Sequence, residues 1–416
     1  MSDRTRNYLI FLANPALFGL GMNLMSPVTI LPVFVSYLTD SNVLIGGVTA
    51  VVRLAWALPL IYGARHFEER PYKARRLVAI STIGRVVFVA YGGYLFFSSG
   101  GPATILLVLF FFALFALWGS DGFTSPAWAE MFTKIVDARA RGRLIGIAGA
   151  VGGVLAGVGI LIATRLMGDN PFPAGFALVF IAATIVLIIS HGTLVFLKEP
   201  PSPPPEELDP SPIWRAGARI PRLLRRDPSF RSLILARLLL GFGMTSFGFF
   251  AVFATRRFDL GLEQIGLLTT VLLVTQTVAT LGSGFLNDRL GPIQLASAGG
   301  LVALLAAIMA ATTPSPILFI PIFICVGLSQ AAFGIADITL VIDAAPLDRM
   351  PTYMATYNIG IAPLLVVAAL AAGLLVDLTG FRSMFIVSGV FALAGIALMI
   401  RVSRNRPVPA PSSPAP

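Results

Sequence analysis

Charged residues are scarce in this chain of 416 residues, because Asp, Glu, Lys and Arg together make up only 12% of it. A soluble protein of this length needs about a quarter of its residues charged to cover its surface, so the scarcity excludes a soluble enzyme. Apolar residue types account for 56% of the sequence, and the mean hydropathy is +0.86. We therefore predict an integral membrane protein.

Cysteine and histidine are almost absent as well. Cys325 is the single cysteine, so no internal disulfide can form. His66 and His191 are the two histidines, and without a cysteine cluster they give no recognisable metal-ligand spacing. The chain also lacks a glycine-rich phosphate loop that ends in Lys-Ser or Lys-Thr, which disfavours direct use of ATP. We expect neither a metal nor a cofactor.

Long apolar runs alternate with short polar gaps along the whole chain. A hydrocarbon core of about 30 Å requires roughly 20 apolar residues per helix. The runs are continuously apolar, without the short alternating segments of a membrane barrel. The predicted fold class is therefore all-α integral membrane, with twelve transmembrane helices. These lie near residues 8–38, 43–64, 77–97, 103–131, 143–167, 174–197, 230–255, 263–286, 293–312, 316–342, 352–376 and 381–402.

The formal charge of +10 follows from the distribution of basic residues between the gaps. Most of them lie at the two ends of the chain and in every second gap, while the opposite gaps hold only Arg165, Arg256, Arg257 and Arg382. Positive charge near membrane spans stays in the cytoplasm. We therefore predict cytoplasmic N and C termini in a multi-pass protein of the cell inner membrane, and no nucleic-acid partner.

A single long polar stretch divides the spans six and six. We predict a first six-helix bundle over 1–197 (the first half), a cytoplasmic linker over 198–229, a second bundle over 230–402 (the second half) and a disordered tail over 403–416. Within the linker, alternating apolar and basic residues predict an amphipathic helix on the inner membrane surface. Short basic-acidic gaps recur at matching places in both halves, as in transporters built from two parallel repeats.

The gap after the eighth span, GSGFLNDRLGP over 282–292, resembles the Gly-x-x-x-Asp-Arg-x-Gly signature of the major facilitator superfamily. The resemblance covers residues 8–402 and implies the fold of that family, in a bacterial-type member of unidentified subfamily. It implies that Asp288 and Arg289 join a cytoplasmic charge network that stabilises the outward-open state. In the first half Glu68, Glu69 and Arg70 stand near the expected place, but Pro71 replaces the glycine.

Further charges lie at the inner ends of the fourth and tenth spans. Glu130 and Asp343 occupy matching places there. We expect both to belong to the same cytoplasmic gate, with Arg139, Arg143, Arg289 or Arg349 as partners.

Two pairs of opposite charges fall inside the spans. At a rise of about 1.5 Å per residue, Arg85 and Asp121 lie at similar depth in the first half, and Arg237 and Asp337 do so in the second. A carboxylate beside an arginine can exchange its partner for a proton, so both aspartates are candidates for proton coupling. The alternative is a permanent ion pair that holds helices together.

Arg53 lies near the centre of the second span, where the first half has no acid at the same depth. It is a candidate to attract an anionic group of a substrate; the alternative is an arginine satisfied by backbone carbonyls or by Asn14 or Asn23. Polar or soft side chains at membrane depth complete a candidate substrate cavity, although joining helices is the commoner role of such groups. Its predicted residues are Asn14, Phe18, Met22, Arg53, Gln276, Gln330 and Asn358.

These features predict a secondary active transporter, not an enzyme, that moves a small molecule by alternating access. Proton coupling and efflux of an amphipathic compound are the favoured interpretation, in a monomer whose partners are substrate, protons and the lipid bilayer. An organic-anion uptake permease is the alternative. A non-transporting sensor or assembly partner on the same scaffold is a third.

Overall fold

The computed structural model describes residues 2–68, 70–97, 101–202, 223–345 and 350–405, which are helical apart from turns and short connections. The predicted amphipathic helix of the linker falls almost wholly outside these residues, as does the tail. The helices are α1 (Asp3–Leu24), α2 (Ile30–Leu38), α3 (Asn42–Glu68), α4 (Ala74–Phe97), α5 (Ala103–Ile135), α6 (Ala138–Asp169), α7 (Ala174–Gly192), α8 (Pro228–Gly243), α9 (Phe247–Phe258), α10 (Leu262–Leu290), α11 (Pro292–Thr312), α12 (Phe319–Ala344), α13 (Met350–Thr379) and α14 (Phe381–Asn405).

Eleven helical segments of the described chain are long and apolar enough to cross a membrane, which confirms the all-α membrane class. The first predicted span, 8–38, is interrupted between α1 and α2. Pro27 lies in this interruption and has no N–H to donate to a helix. The carbonyl of Ser26 instead accepts bonds from Thr29 N at 3.3 Å and Leu31 N at 3.1 Å. Helix α1 is not among the eleven segments, so the count of twelve spans remains a prediction.

Equivalent helices of the two halves make equivalent contacts. In the first half α5 packs on α3 and α4, and α7 packs on α1 and α4. In the second half α12 packs on α10 and α11, and α14 packs on α8 and α11. The same order of contacts therefore repeats, as expected when two related bundles lie side by side.

The apolar cores differ between the two faces of the molecule. We call the side that carries residues 3, 198 and 404 the terminal face, and the opposite side the distal face. Towards the distal face one buried cluster joins both halves, since Phe34 and Phe180 belong to the same cluster as Phe250 and Phe385. Towards the terminal face each half has a core of its own, around Phe11 and Phe132 in the first half and around Phe230 and Leu340 in the second.

Close backbone contacts seal the distal face between α3 and α13. A Cβ atom at Gly46 would lie 2.3 Å from the carbonyl oxygen of Ala369, and one at Gly373 would lie 2.2 Å from the carbonyl oxygen of Asn42. Both distances are shorter than any side chain allows. The glycines therefore let the two halves touch backbone to backbone.

Hydrogen bonds between the halves reinforce this seal. Asp377 of α13 accepts bonds from Asn42 N at 2.9 Å, Asn42 Nδ2 at 2.7 Å and Val43 N at 3.3 Å, and so caps the start of α3. Arg256 at the end of α9 donates to the carbonyl oxygen of Thr39 at 3.1 Å and to Asn42 Oδ1 at 3.1 Å. Within the described ranges no hydrogen bond joins the halves at the terminal face. The halves are thus closed distally and separate terminally.

Replacing Gly373 with Val should open the distal seal, because its side chain would meet the Asn42 carbonyl. Overpacking of this kind costs about 1–3 kcal/mol. Spin labels at Ser41→Cys and Thr379→Cys, in a Cys325→Ser background, should report a longer distance between the halves by pulsed electron paramagnetic resonance. Gly168→Val is the matched control, since nothing lies within 4 Å of its Cβ position. An unchanged distance in Gly373→Val would contradict the seal.

Candidate functional site

A cavity of about 280 Å³ lies in the first half, between α1, α3, α5 and α7. Aromatic rings form much of its wall, and polar groups from α1, α5 and α7 complete it. It is lined by Asn14, Pro15, Phe18, Trp56, Asp121, Thr124, Ser125, Trp128 and His191.

Asn14 fixes one wall of this cavity through hydrogen bonds to two other helices. Its Nδ2 donates to the carbonyl oxygen of Ser190 at 2.9 Å, and its Oδ1 accepts from Trp128 Nε1 at 2.8 Å. The Trp128 ring stacks on Phe132, with centroids 5.2 Å apart. Asn14 and Trp128 are therefore held in place before any ligand arrives.

A buried charge cluster lies behind the cavity. Arg85 Nη2 donates to Asp121 Oδ1 at 2.8 Å, and the two side chains are 0% and 3% exposed. The same Nη2 lies 3.0 Å from His191 Nδ1. Because a guanidinium only donates, the histidine nitrogen must accept, which requires a neutral imidazole ring.

Two atoms of this cluster lack partners. Asp121 Oδ2 and Arg85 Nε are buried and make no hydrogen bond with the described part of the chain. A buried carboxylate oxygen without a donor carries a desolvation penalty of about 1–3 kcal/mol. Asp121 Oδ2 is therefore an enclosed acceptor without a donor in the described part of the chain.

The second half holds an ion pair at its own centre. Arg237 donates from Nε to Asp337 Oδ1 at 2.5 Å and from Nη2 to Oδ2 at 2.9 Å. Tyr357 donates its hydroxyl to Asp337 Oδ1 at 2.7 Å, and the guanidinium lies 4.5 Å from the centroid of the Phe333 ring. The Asp337 side chain is 35% exposed, in contrast to the fully enclosed Asp121.

Arg53 of α3 has no hydrogen bond or ion pair with any described residue, and its side chain is partly exposed. Its charge interacts electrostatically with Arg237 and Asp337 of the other half. Arg53 therefore faces the interface between the halves. It is an unpaired cation near the centre of a predicted membrane span.

The terminal face of the first half carries a network of paired charges. Lys73 Nζ bonds to Glu130 Oε1, and Ser202 Oγ donates to the same oxygen at 2.7 Å. Glu199 accepts from Lys134 Nζ at 2.7 Å and from the backbone N–H of Lys73 at 2.8 Å, at the start of α4. Residues 198–202 are thereby fastened to the first half.

The second half of the sequence, residues 233–416, matches the family model described as Major Facilitator Superfamily. The described helices of both halves repeat the same contacts, and the eleven apolar segments extend over the whole chain. The family match covers less than half of the chain, and over that part it agrees with the predicted resemblance. It supports the predicted membrane transporter. Comparison with curated protein sequences gives no match.

Solved structures of facilitator-superfamily proteins share the fold over almost the full length. A bacterial homologue of the human lysosomal transporter Spinster, in an inward-facing and unoccupied conformation, aligns with a TM-score of 0.72 and 18% identity over 99% of this chain and 100% of the other. A mutant of the nucleoside transporter NupG gives 0.71 and 12% identity, with 97% and 99% covered. A transporter of the POT family in complex with 5-aminolevulinic acid gives 0.69 and 13%, with 96% of each chain covered.

The predicted cavity residues do not all meet at one place. Asn14 and Phe18 line the cavity of the first half, whereas Met22 packs against the distal core. Gln276 has no side-chain hydrogen bond in the described residues, and Gln330 Nε2 is buried without a partner there. The side chain of Asn358 lies outside the described residues.

The predicted gate residues are dispersed. Asp288, Arg289, Arg143 and Asp343 are exposed and make no ion pair among the residues that the structure describes. Glu130 pairs with Lys73 instead of an arginine, because Lys73 at the start of α4 and the end of α5 meet at the terminal face. Arg349 and the side chain of Arg139 lie outside the described residues.

Sequence reasoning missed His191, Trp56 and Trp128 as parts of the site. His191 was considered only as a metal ligand, although a histidine within an apolar span is itself unusual. Trp56 lies one helical turn after Arg53, so the spacing alone indicates that the two share a side of α3. Nothing in the sequence brings Trp128 to Asn14, since that contact depends on the packing of α5 against α1.

Breaking the Arg85–Asp121 pair on one side should destabilise the protein more than removing both charges. Asp121→Leu leaves Arg85 buried without a counter-charge and should cost about 3–5 kcal/mol. The double variant Arg85→Met with Asp121→Leu should recover much of this loss. Thermal unfolding of the purified protein in detergent measures both.

Arg143→Gln is the control for this comparison, because exposed side chains without partners contribute within about 0.5 kcal/mol. A double variant as unstable as Asp121→Leu alone would show that the pair does not act as a unit.

Proposed function

We propose that the chain is a secondary active transporter that carries a small molecule across the cell inner membrane by alternating access. The two halves, residues 1–197 and 230–402, rock about a site near the membrane midplane, and the linker over 198–229 joins them on the cytoplasmic side. Both termini are cytoplasmic, so the terminal face is the inner face. One chain suffices, because each half already supplies its own ion pair and the cavity lies within the monomer.

The difference between the two faces of the core is the observation that carries this proposal. Distally, one apolar cluster and the Asp377–Asn42 bonds join the halves, while terminally each half has a separate core. A bundle with a purely structural role has no reason to hold its halves together at one end only. The arrangement fits one stage of an alternating-access cycle, open to the cytoplasm.

The predicted gate supports the same stage of the cycle. The family resemblance implies that Asp288 and Arg289 latch the cytoplasmic side in the outward-open state. In this structure both are exposed and without ion-pair partners among the described residues. We infer that they engage, together with Arg143 and Asp343, only when the cytoplasmic side closes.

Asp337 and Asp121 are the proposed proton-coupling residues. Asp337 is partly exposed between the halves and is held by Arg237 and Tyr357. Protonation would release Arg237 and remove the negative charge that interacts with Arg53 of the other half. Proton binding thus changes the attraction between the halves, which is what coupling requires. Asp121 can act in the same way towards Arg85.

The direction and the substrate follow from the chemistry of the cavity. Aromatic walls around few polar groups favour an amphipathic compound, and we propose efflux. The unpaired Arg53 supports a second candidate, uptake of an organic anion. Structural neighbours are named for a nucleoside transporter and for a complex with 5-aminolevulinic acid, which supports a small-molecule substrate.

Coupling can be measured in proteoliposomes with an enclosed pH indicator. Amphipathic compounds added outside should move protons, and an imposed pH gradient should drive accumulation of a radiolabelled compound from the active set. Asp337→Asn should abolish accumulation but retain exchange of labelled for unlabelled compound, because the permanently neutral side chain cannot exchange a proton. Asp169→Asn at the end of α6 is the control, because Asp169 is exposed and has no ion pair among the described residues.

Transport that ignores the pH gradient, together with coupling that survives Asp337→Asn, would overturn the proton mechanism. Absence of any transport would favour the third interpretation, a sensor or assembly partner.

The orientation can be tested with reporter fusions in a bacterial host. Green fluorescent protein after Pro416 should fluoresce, because the C terminus is cytoplasmic. Alkaline phosphatase fused after Phe258, at the end of α9, should be active, because the distal face lies outside the cytoplasm. Truncation and fusion after Asn287, at the terminal end of α10, is the control and should give an inactive phosphatase. The reverse pattern would refute the predicted topology.

A further inference from the structure

We infer that the substrate is an amphipathic aromatic anion, whose acidic group binds Arg53 and whose ring enters the cavity of the first half and donates a hydrogen bond to Asp121. This inference rests on the proposed function and gives it a substrate class. It unites an unpaired cation, a preformed aromatic cavity and an unpaired buried acceptor, none of which another part of the described structure explains.

The charge balance of the site favours an anion. Arg85 is neutralised by Asp121, and Arg237 is neutralised by Asp337. Arg53 has no such partner among the described residues, so the centre of the molecule carries one uncompensated positive charge. A buried or half-buried charge in a membrane requires a counter-charge. A carboxylate or phosphate on the substrate supplies it, and a guanidinium binds either through two parallel hydrogen bonds.

The cavity selects a flat apolar group. Trp56, Trp128 and Phe18 contribute three rings to its lining. An apolar cavity of about 150 Å³ is large enough for benzene, so the 280 Å³ here holds one or two fused rings. The hydrogen bond from Trp128 to Asn14 keeps this wall in place, which lowers the entropic cost of binding.

Asp121 Oδ2 specifies a hydrogen-bond donor on that ring. The residue lines the cavity, is 3% exposed, and its Oδ2 accepts no bond in the described structure. A phenolic O–H or a ring N–H would satisfy this oxygen. A cationic donor is disfavoured, because Arg85 lies 2.8 Å from the other oxygen of the same carboxylate.

The separation of the two subsites limits the length of the substrate. Arg53 and Trp56 are three residues apart on α3, so their Cβ atoms lie about 5–6 Å from each other. We therefore choose a substrate in which the acidic group follows the ring after a short linker of one to three atoms. 4-Hydroxyphenylacetate has this size, a ring donor and a carboxylate, and it is the probe that we choose.

Binding can be measured on the purified full chain in detergent from the quenching of tryptophan fluorescence. 4-Hydroxyphenylacetate should bind saturably. Three compounds with the same ring each lack one element: tyrosol replaces the carboxylate with a neutral alcohol, tyramine replaces it with a cation, and phenylacetate lacks the ring donor. Each should bind at least about tenfold more weakly, because hydrogen bonds to charged groups are the strong ones.

Variants assign each contact to a residue. Arg53→Gln should weaken binding of 4-hydroxyphenylacetate roughly tenfold, down to the level of tyrosol, and leave tyrosol itself unchanged. Unchanged tyrosol binding also shows that the variant is folded. Trp56→Leu should weaken all four compounds. Trp118→Phe is the matched control, because Trp118 is 5% exposed, belongs to the distal core and does not line the cavity.

Equal loss of tyrosol and 4-hydroxyphenylacetate in Arg53→Gln would overturn the anion subsite. Preferential binding of tyramine would overturn the substrate class. Phenylacetate binding as tightly as 4-hydroxyphenylacetate would remove Asp121 from the contact.

The proposed function and the substrate class can fail separately. If 4-hydroxyphenylacetate binds as described but is not moved across the membrane of proteoliposomes, the inferred binding site is supported and the proposed transport function is refuted. If amphipathic compounds of another class are transported, and Trp56→Leu and Arg53→Gln leave that transport unchanged, the transporter stands and the inferred substrate class is wrong.

Discussion

An ionised side chain is stable inside a membrane only beside a counter-charge or water, and this constraint organises the centre of the molecule. Arg85 and Asp121 obey it completely, since the pair is buried between α4 and α5. Arg237 and Asp337 obey it with one side of the carboxylate still partly exposed. Arg53 alone among these centrally placed charges has no partner in the described structure. The two satisfied pairs hold each half together, and the unsatisfied arginine is where we propose that the substrate binds.

The same helices serve stability at one face and function at the other. Distally, glycines on α3 and α13 bring the backbones of the two halves together, and Asp377 caps α3 across the boundary. Terminally, residues 198–202 are fastened to the first half alone, through Glu199 and Ser202. In the proposed cycle, movement of the halves breaks the distal bonds and leaves the network of the first half intact.

Composition and spacing predicted the membrane class, the family and the depth of both Arg–Asp pairs, since each depends on local apolar runs or on position along a helix. The cavity was harder to predict. Asn14 and Phe18 line the cavity of the first half, whereas Met22 packs against the distal core. Trp128 and His191 reach the cavity only through the packing of α5 and α7 against α1. The partners of Glu130 were equally hard to predict from the sequence, because Lys73 and Ser202 lie in distant segments of the chain.

By itself the sequence determined that this protein is embedded in a lipid membrane and that it is helical. It also determined that each half has one pair of opposite charges at similar depth in the membrane. Those properties follow from a solvent without hydrogen-bonding capacity, which forces apolar runs of fixed length and backbone bonds within each helix. Only the tertiary structure decided that the halves close at the distal face and that Arg53 stays unpaired. It also decided that Asp121 lines the aromatic cavity and that one of its carboxylate oxygens has no donor among the described residues. Each of these depends on which side chains of distant helices meet, and periodicity along one helix carries no information about its neighbour.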